Sequence, residues 1–163
     1  MPSTPAGFAD LLLPDGVIPE LPALSRDAAL QALAREAGSR LGQPWFRIHE
    51  RLRTREALGS TAFGAGVAIP HTRLPGLAAC AVLVARLPQP MDWQAADGAP
   101  VDLLVLLLSP ETTGADHLKA LARISRTLRE PGLLLALRQA GDAPGMTAVL
   151  HHLPQTAPAV AVT

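Results

Sequence analysis

Apolar side chains recur with helical spacing in the first third of the chain. A helix is predicted from Ser25, a favourable N-cap residue, to Gly42, a common helix terminator. Its apolar face consists of Leu30, Leu33, Ala34, Ala37 and Leu41. A second helix is predicted over about residues 44–58, and Gly59 ends it. The first elements that the pattern predicts are therefore two amphipathic helices.

The middle of the chain changes to short, nearly continuous apolar runs. Such runs are typical of strands that are buried on both faces of a sheet. The strongest are Ala79–Leu87 and Val101–Leu108, and shorter strands are predicted at Val67–Ile69 and Met91–Trp93. Residues 59–66 are rich in glycine and other small side chains, so we expect no regular element there.

Helical spacing returns in the last third of the chain. Thr113-Gly-Ala-Asp116 has the spacing of a capping box, with Asp in place of the usual Glu. The helix that it opens is predicted to bury one stripe, formed by Leu118, Leu121, Ile124 and Leu128. Two more helices are predicted, one after Pro131 and one over about residues 146–153.

Together these elements predict the fold class α/β. We expect a single domain in which a mixed sheet of about four to five strands is covered by helices on both faces. The domain is predicted to span residues 10–153. Residues 1–9 and 154–163 are rich in small side chains and proline, and are expected to be frayed tails.

Composition narrows the function classes without indicating any chemistry. The chain has 163 residues, 14 basic and 14 acidic, and aromatic residues make up 3%, so we expect no nucleic-acid partner. No apolar run approaches the length of about 20 residues that a membrane helix needs, so no membrane insertion is expected. The amino terminus lacks the order of a secretory signal, and Cys80 is the one cysteine. A cytoplasmic protein without disulfides is therefore expected.

The five histidines are not equivalent. His49 is expected on a helix surface, and His151 and His152 lack the neighbours that a metal site requires, so no metal site is predicted. His71 differs because it follows the strand that stops at Pro70, beyond a loop whose glycines leave backbone amides accessible. A neutral imidazole is a competent nucleophile, but a purely structural role at the strand end explains His71 equally well at this point.

Two further residues shift that balance towards phosphoryl chemistry. The capping box places His117 in the first turn of a helix, where free amides and the positive dipole end attract phosphate. The same field disfavours imidazolium, so His117 is expected to act as a neutral hydrogen-bond donor. Arg55 supplies a fork-shaped cation that matches phosphate oxygens.

Three blocks of sequence carry a family resemblance. They are Arg55-Glu-Ala-Leu-Gly-Ser-Thr61, Gly64-Ala-Gly-Val-Ala-Ile-Pro-His71 and His117-Leu-Lys-Ala-Leu-Ala122. In this order and spacing they resemble the fructose/mannitol/nitrogen-type enzyme IIA family of the bacterial phosphotransferase system. The resemblance extends weakly over roughly residues 10–153.

The resemblance implies a role for each of the three residues. His71 would be the phosphorylated nucleophile, His117 would lie beside it, where its expected role as a hydrogen-bond donor would serve the phosphoryl group, and Arg55 would be a phosphate-binding residue. The backbone amides of a phosphate loop would assist them, and its predicted members are Gly59, Ser60, Thr61, Gly64 and Gly66. The donor would be HPr or its nitrogen-branch relative, and the acceptor a IIB domain or a regulated target protein.

Three positions depart from the family pattern. Ala62 stands where the family usually has glycine, and Thr72 follows the active histidine where glycine is common. Phe63 is expected to add bulk at the rim of the site. We expect these changes to affect partner preference and transfer rate more than the chemistry.

The sequence leaves several functions open. It contains no Walker motif, kinase signature or acidic metal cluster, so we expect neither a cofactor nor a metal. A nitrogen-type regulatory protein is favoured, because no IIB, IIC or HPr segment is fused to the chain, over a free-standing IIA component of a sugar transporter. A hydrolase that uses Ser60, His71 and Asp102 is a remote alternative. An inert binding module is another.

Overall fold

Two long strands form the centre of the molecule. The computed structural model describes residues 7–112 and 114–152. In chain order its elements are β1 (Leu12–Ile18), α1 (Arg26–Leu41), α2 (Trp45–Ala57), β2 (Ala62–Gly64), β3 (Val67–Ala68), β4 (His71–Leu74), β5 (Ala81–Met91), β6 (Val101–Pro110), α3 (Gly114–Leu128), α4 (Leu133–Gln139) and α5 (Ala143–His151). The antiparallel pair of β5 and β6 contains the apolar runs that the sequence predicts as buried strands.

The remaining strands extend this pair into a mixed sheet. The order is β1-β5-β6-β3-β2, and β4 also pairs with β6. The pairings of β1 with β5, and of β3 and β4 with β6, are parallel, whereas β2 and β3 are antiparallel. The predicted α/β class with a mixed sheet is confirmed. The described sheet has six strands rather than four or five, because β1, β2 and β4 were not predicted, whereas the predicted strand at Met91–Trp93 is not separate from β5.

Each face of the sheet is covered by its own set of helices. Along β5, Leu83 and Ala85 pack against the layer of α1 and α2, whereas Val82 and Val84 pack against α3, α4 and α5. Residues that alternate along a strand point to opposite faces, so both sides of β5 are buried. The prediction of helices on both faces is confirmed.

The predicted caps of the first helix are present. Ser25 Oγ accepts a hydrogen bond from the Ala28 N–H at 3.0 Å, and Gly42 adopts the left-handed conformation with φ +65°. A side-chain acceptor at the N-cap satisfies an amide that would otherwise lack a partner, and glycine reaches positive φ without strain. These local signals explain why the α1 boundaries agree with the prediction.

Several predicted details are wrong. Residues 62–64 form β2 inside the stretch expected to be irregular, Met91 ends β5 rather than beginning a separate strand, and α5 begins at Ala143. On α3, Leu118 is 67% exposed, and His117 takes its place on the buried face. Thr113, the predicted N-cap of that helix, lies outside the described residues.

Residues 7–9, which were predicted to belong to a frayed tail, are part of the described fold. Residues 1–6, and 153–163 at the other end, lie outside the described residues, but residues 7–9 belong to the folded part. Phe8 is 1% exposed, and Arg123 donates hydrogen bonds to the Gly7 carbonyl. Phe8 is buried in the core on the α3 side, so the chain is anchored before residue 10.

Candidate functional site

His71 is held by a strand that the sequence did not predict. It is the first residue of β4 and pairs with Leu107 of β6. Its Nδ1 lies 2.7 Å from the Ile69 carbonyl oxygen, and its Nε2 lies 3.2 Å from Arg55 Nε. A carbonyl can only accept and a guanidinium can only donate, so these contacts define a neutral ring with the proton on Nδ1. The Nε2 lone pair of His71 therefore faces Arg55.

The surroundings of His71 favour this neutral form. Burial lowers the pKa of His71 below its ordinary value, and the positive charge of Arg55 lowers it further. The hydrogen bond to Ile69 and the charge of Glu56 act in the opposite direction, but the net shift is downward. At neutral pH, His71 is therefore a neutral imidazole with an available nucleophilic nitrogen.

His117 lies beside His71. The two ring centroids are 5.5 Å apart, and His117 is 8% exposed in the first turn of α3. Burial lowers the pKa of His117, and the charges of His71 and Arg73 add to the effect. Burial is thus the main cause that favours the neutral form of His117, whereas the sequence argument relied on the helix dipole.

Arg55 is fixed by its own helix end. Its guanidinium donates from Nη1 to the Gly59 carbonyl at 2.8 Å, in addition to the contact with His71. The neighbouring Glu56 is 6% exposed and accepts hydrogen bonds from the Thr61 N–H at 2.7 Å and Oγ at 2.6 Å. This carboxylate ties the segment after α2 to the helix, so the Gly59 carbonyl stays within reach of Arg55.

Ser60 and Thr61 are engaged within the protein. Ser60 Oγ donates to the Trp93 carbonyl at 2.5 Å, and Trp93 Nε1 donates to Thr61 Oγ at 3.3 Å. The Thr61 N–H, one of the amides predicted to face phosphate, already bonds to Glu56. Both hydroxyls and the Thr61 N–H therefore form hydrogen bonds within the protein, next to the segment that holds Arg55.

Gly64 and Gly66 are not brought to the site. The Gly66 carbonyl accepts hydrogen bonds from the N–H groups of Asp102 and Leu103 near the start of β6, whereas His71 pairs with Leu107. Four residues along a strand span about 13 Å. The hairpin that contains both glycines thus lies near the opposite end of β6 from His71, so the structure does not bring Gly64 and Gly66 to His71.

The family departures have little effect on the local backbone. Thr72 lies within β4 and Ala62 within β2, and neither has the positive φ that would require glycine. Phe63 packs against the core on the α3 side of the sheet, and the Arg129 guanidinium lies 5.5 Å from its ring centroid. Arg129 follows the last residue of α3, whereas His117 lies in its first turn. The expectation that Phe63 crowds the site is therefore wrong.

The remaining candidates do not form a second site. The His49 side chain is half-buried, and its Nε2 lies 3.0 Å from Oδ1 of the exposed Asp27. His151 and His152 are exposed. Within residues 7–112 and 114–152, no group of three His, Cys, Asp or Glu side chains could hold a metal ion.

The hydrolase alternative lacks its geometry. Asp102 forms an ion pair with Arg138 at 2.9 Å, and the Nδ1 of His71 bonds to a backbone carbonyl instead of a carboxylate. Ser60 Oγ donates its proton to Trp93. A triad requires the acid, base and nucleophile to bond in sequence, and these three residues do not.

A groove of about 960 Å³ extends from Arg55. One wall is formed by α2 and the other by the end of β4 and the turn after it, with Thr72 at the edge nearest His71. Of the three candidate site residues, Arg55 alone lines this groove. None of the helices in the described ranges combines the length and apolar character needed to cross a bilayer.

Ser109 and Glu56 are the site residues that the sequence argument missed. Ser109 Oγ lies 2.7 Å from His117 Nδ1, yet it stands at the end of an apolar strand where nothing in the pattern marks it. Glu56 belongs to the first motif block, and its position next to Arg55 was the available signal. Its burial, which gives it a structural role, could not be deduced from a helix pattern.

Comparison with known proteins identifies the class to which this fold and site belong. Residues 10–152 match the family model described as the phosphoenolpyruvate-dependent sugar phosphotransferase system, EIIA 2. The chain belongs to this family. Proteins of the family are phosphocarriers that act between phosphorylated carrier proteins and IIB acceptors.

Individual relatives point to one branch of the family. A nitrogen regulatory protein of Bradyrhizobium diazoefficiens is 49% identical over 92% of this chain and 98% of its own length. One from Pseudomonas aeruginosa is 40% identical over 82% of this chain and 87% of its own. The crystal structure of nitrogen regulatory protein IIA-Ntr from Neisseria meningitidis superposes with a TM-score of 0.80 at 26% identity, covering 88% and 98% of the two chains. This chain is thus a IIA-type protein of the phosphotransferase relay.

Proposed function

We propose that this protein is a nitrogen-type regulatory IIA protein that accepts a phosphoryl group on Nε2 of His71. The observation that carries the proposal is the tautomer of His71. Its proton is on Nδ1, bonded to Ile69, and its Nε2 lone pair lies beside Arg55 and near the ring of His117. A nucleophile thus lies next to two groups that can stabilise charge on a phosphoryl group.

The transfer needs no prior deprotonation. The Nε2 lone pair attacks the phosphorus of the donor phosphohistidine, the donor N–P bond breaks, and its electron pair returns to the donor ring. The proton of His71 stays on Nδ1, where the Ile69 carbonyl stabilises the positive character that the ring gains. The balance is one N–P bond broken and one formed.

Arg55 has to change partners during this step. Its Nε donates to the nitrogen that attacks phosphorus, at 3.2 Å. The lone pair cannot form a bond to phosphorus while it accepts this hydrogen bond. The guanidinium therefore moves from the ring nitrogen to the phosphoryl oxygens, whose geometry matches its donors.

The donor would be HPr or its nitrogen-branch relative. The phosphorylated protein would then act through regulated targets, which its phosphorylation state selects. The high identity to nitrogen regulatory proteins supports this role. The family description also includes sugar transport, so a IIA component that passes phosphate to a IIB domain is the second candidate.

The experiment is incubation of the purified chain with phosphoenolpyruvate, enzyme I and an HPr-type carrier, followed by intact-mass analysis. We expect an acid-labile gain of one phosphoryl group in the wild type and none in His71→Ala. His49→Ala is the matched control and should be phosphorylated normally. The proposal would be overturned by a wild type that gains no phosphoryl group from HPr or from its nitrogen-branch relative. It would also be overturned by a His71→Ala variant that still gains phosphate. Subsequent loss of the group to IIB proteins would favour the transport role.

A further inference from the structure

A buried serine lies behind His117, on the side away from solvent. Ser109 is 0% exposed near the end of β6, and its Oγ lies 2.7 Å from His117 Nδ1. The pairing of β4 with β6 sets Ser109 opposite Arg73, two residues after the His71–Leu107 pair. The serine is therefore part of the rigid sheet that also positions His71.

The direction of this hydrogen bond determines what His117 can do. A hydroxyl has one proton and can also accept. If Ser109 donates to Nδ1, the His117 proton must be on Nε2, and that nitrogen becomes a donor. If Nδ1 donates to Ser109 instead, Nε2 presents a lone pair that would repel phosphoryl oxygens.

A second contact favours donation from Ser109. Cys80 Sγ lies 3.6 Å from Ser109 Oγ and 4.0 Å from the Asp116 carbonyl oxygen, so the hydroxyl oxygen is the nearer of the two acceptors for the single thiol proton. With its oxygen accepting from Cys80, Ser109 has its own proton available for His117. The result is a chain of hydrogen bonds from the Cys80 thiol through Ser109 to His117.

We propose that Ser109 is a positioning residue that holds His117 as the Nε2–H tautomer, the form that can donate a hydrogen bond to a phosphoryl group on His71. This inference rests on the proposed function for its purpose. The tautomer itself is a property of the unphosphorylated protein and can be measured without any partner. Ser109 acts on the transfer only through His117.

The first measurement is long-range ¹H–¹⁵N correlation of the histidine rings in ¹⁵N-labelled, unphosphorylated protein. A His117→Gln variant assigns the signals. We expect His117 to be protonated on Nε2 in the wild type, and Ser109→Ala to give a mixture of tautomers, with the Nδ1–H tautomer of His71 unchanged. A wild-type His117 protonated on Nδ1 would overturn the proposal whatever the variants do.

The second measurement is single-turnover phosphoryl transfer, in and out of His71. We expect Ser109→Ala to slow onward transfer about 2- to 10-fold, the effect of one net hydrogen bond, with a smaller change in phosphorylation by the donor. Ser109→Thr keeps a hydroxyl and should restore both tautomer and rate. Cys80→Ala leaves Ser109 and His117 in place, and it tests the chain of hydrogen bonds if the Ser109 variants do not fold. This variant should weaken the preference of His117 for the Nε2–H tautomer.

The two proposals fail in different ways. A wild type that is never phosphorylated refutes the proposed function, while the tautomer measurement still decides the assignment of Ser109. If the wild type is phosphorylated and a folded Ser109→Ala variant passes the group on at the wild-type rate, the positioning role is refuted. Loss of rate in Ser109→Ala with an unchanged His117 tautomer would also refute it, because the loss would then be structural.

Discussion

The buried carboxylate of Glu56 should contribute more to stability than any exposed glutamate of the same helix. Glu56→Ala removes both acceptors of Thr61, whose N–H and Oγ bond to it at 2.7 and 2.6 Å. A buried donor left without a partner costs about 1–3 kcal/mol. Two such donors give a loss of about 2–6 kcal/mol in the free energy of unfolding, a large part of the roughly 5–15 kcal/mol typical of a domain.

Urea denaturation followed by circular dichroism measures this loss. With a slope of about 2 kcal/mol per molar urea, the midpoint should fall by about 1–3 M. Glu56→Gln keeps a carbonyl acceptor for the Thr61 N–H, so its loss should be smaller, about 1 kcal/mol. Glu50→Ala is the matched control, because Glu50 is exposed on the same helix, and its change should stay within about 0.5 kcal/mol.

Phosphoryl transfer should respond as well. The Thr61 contacts tie the segment that carries the Gly59 carbonyl, which in turn fixes Arg55. A folded Glu56→Gln variant should therefore show slower phosphorylation of His71 than Glu50→Ala. If Glu56→Ala unfolds at the same urea concentration as Glu50→Ala, the carboxylate does not hold this segment and the reasoning is refuted.

Three further predictions follow from the geometry of the site. Arg55→Lys keeps the charge but loses the planar fork, so single-turnover phosphorylation should slow with little change in melting temperature; an unchanged rate would make Arg55 a surface cation. His117→Ala should still accept phosphate at His71 but release it more slowly. The slowing should be smaller than the factor of about 10²–10³ that is typical of a water-excluded site, because His71 is only half-buried; equal rates in both directions would make His117 a packing residue. The pKa values of His71 and His117 are both lowered from 6.5, so below that pH the unfolded chain binds more protons, and the free energy of unfolding should fall as pH decreases towards the folded pKa values. Urea titrations from about pH 7.5 to 5.5 should show this fall, and His117→Gln should reduce it; a flat profile would contradict the lowered pKa values.

Local signals explain the parts of the fold that the sequence predicted. Ser25 and Gly42 mark α1 because capping depends on a few adjacent residues, and the apolar run of β6 is buried on both faces. β4 has no such signal, because His71–Leu74 is short and mixes polar and apolar residues. This segment is a strand because it pairs in parallel with β6. Pairing with a distant strand is a tertiary effect that periodicity does not encode.

The same distinction separates the two parts of the site. Arg55, His71 and His117 were predicted from motifs, and the structure places them together. The phosphate loop was predicted from the glycines and small side chains of residues 59–66, and Gly64 and Gly66 instead lie in a hairpin near the opposite end of β6 from His71. A glycine indicates that the backbone adopts an unusual conformation, but it does not indicate whether the segment binds a ligand. The position of this hairpin depends on the register of β3 against β6.

The position of phosphorus on the ring of His71 tests the account most directly. The phosphorylated, ¹⁵N-histidine-labelled protein should be examined for ¹⁵N–³¹P coupling at high pH, where phosphohistidine persists. The account predicts coupling to Nε2 of His71, since Nδ1 is bonded to the Ile69 carbonyl at 2.7 Å. Phosphorus on Nδ1, or on His117, would contradict it.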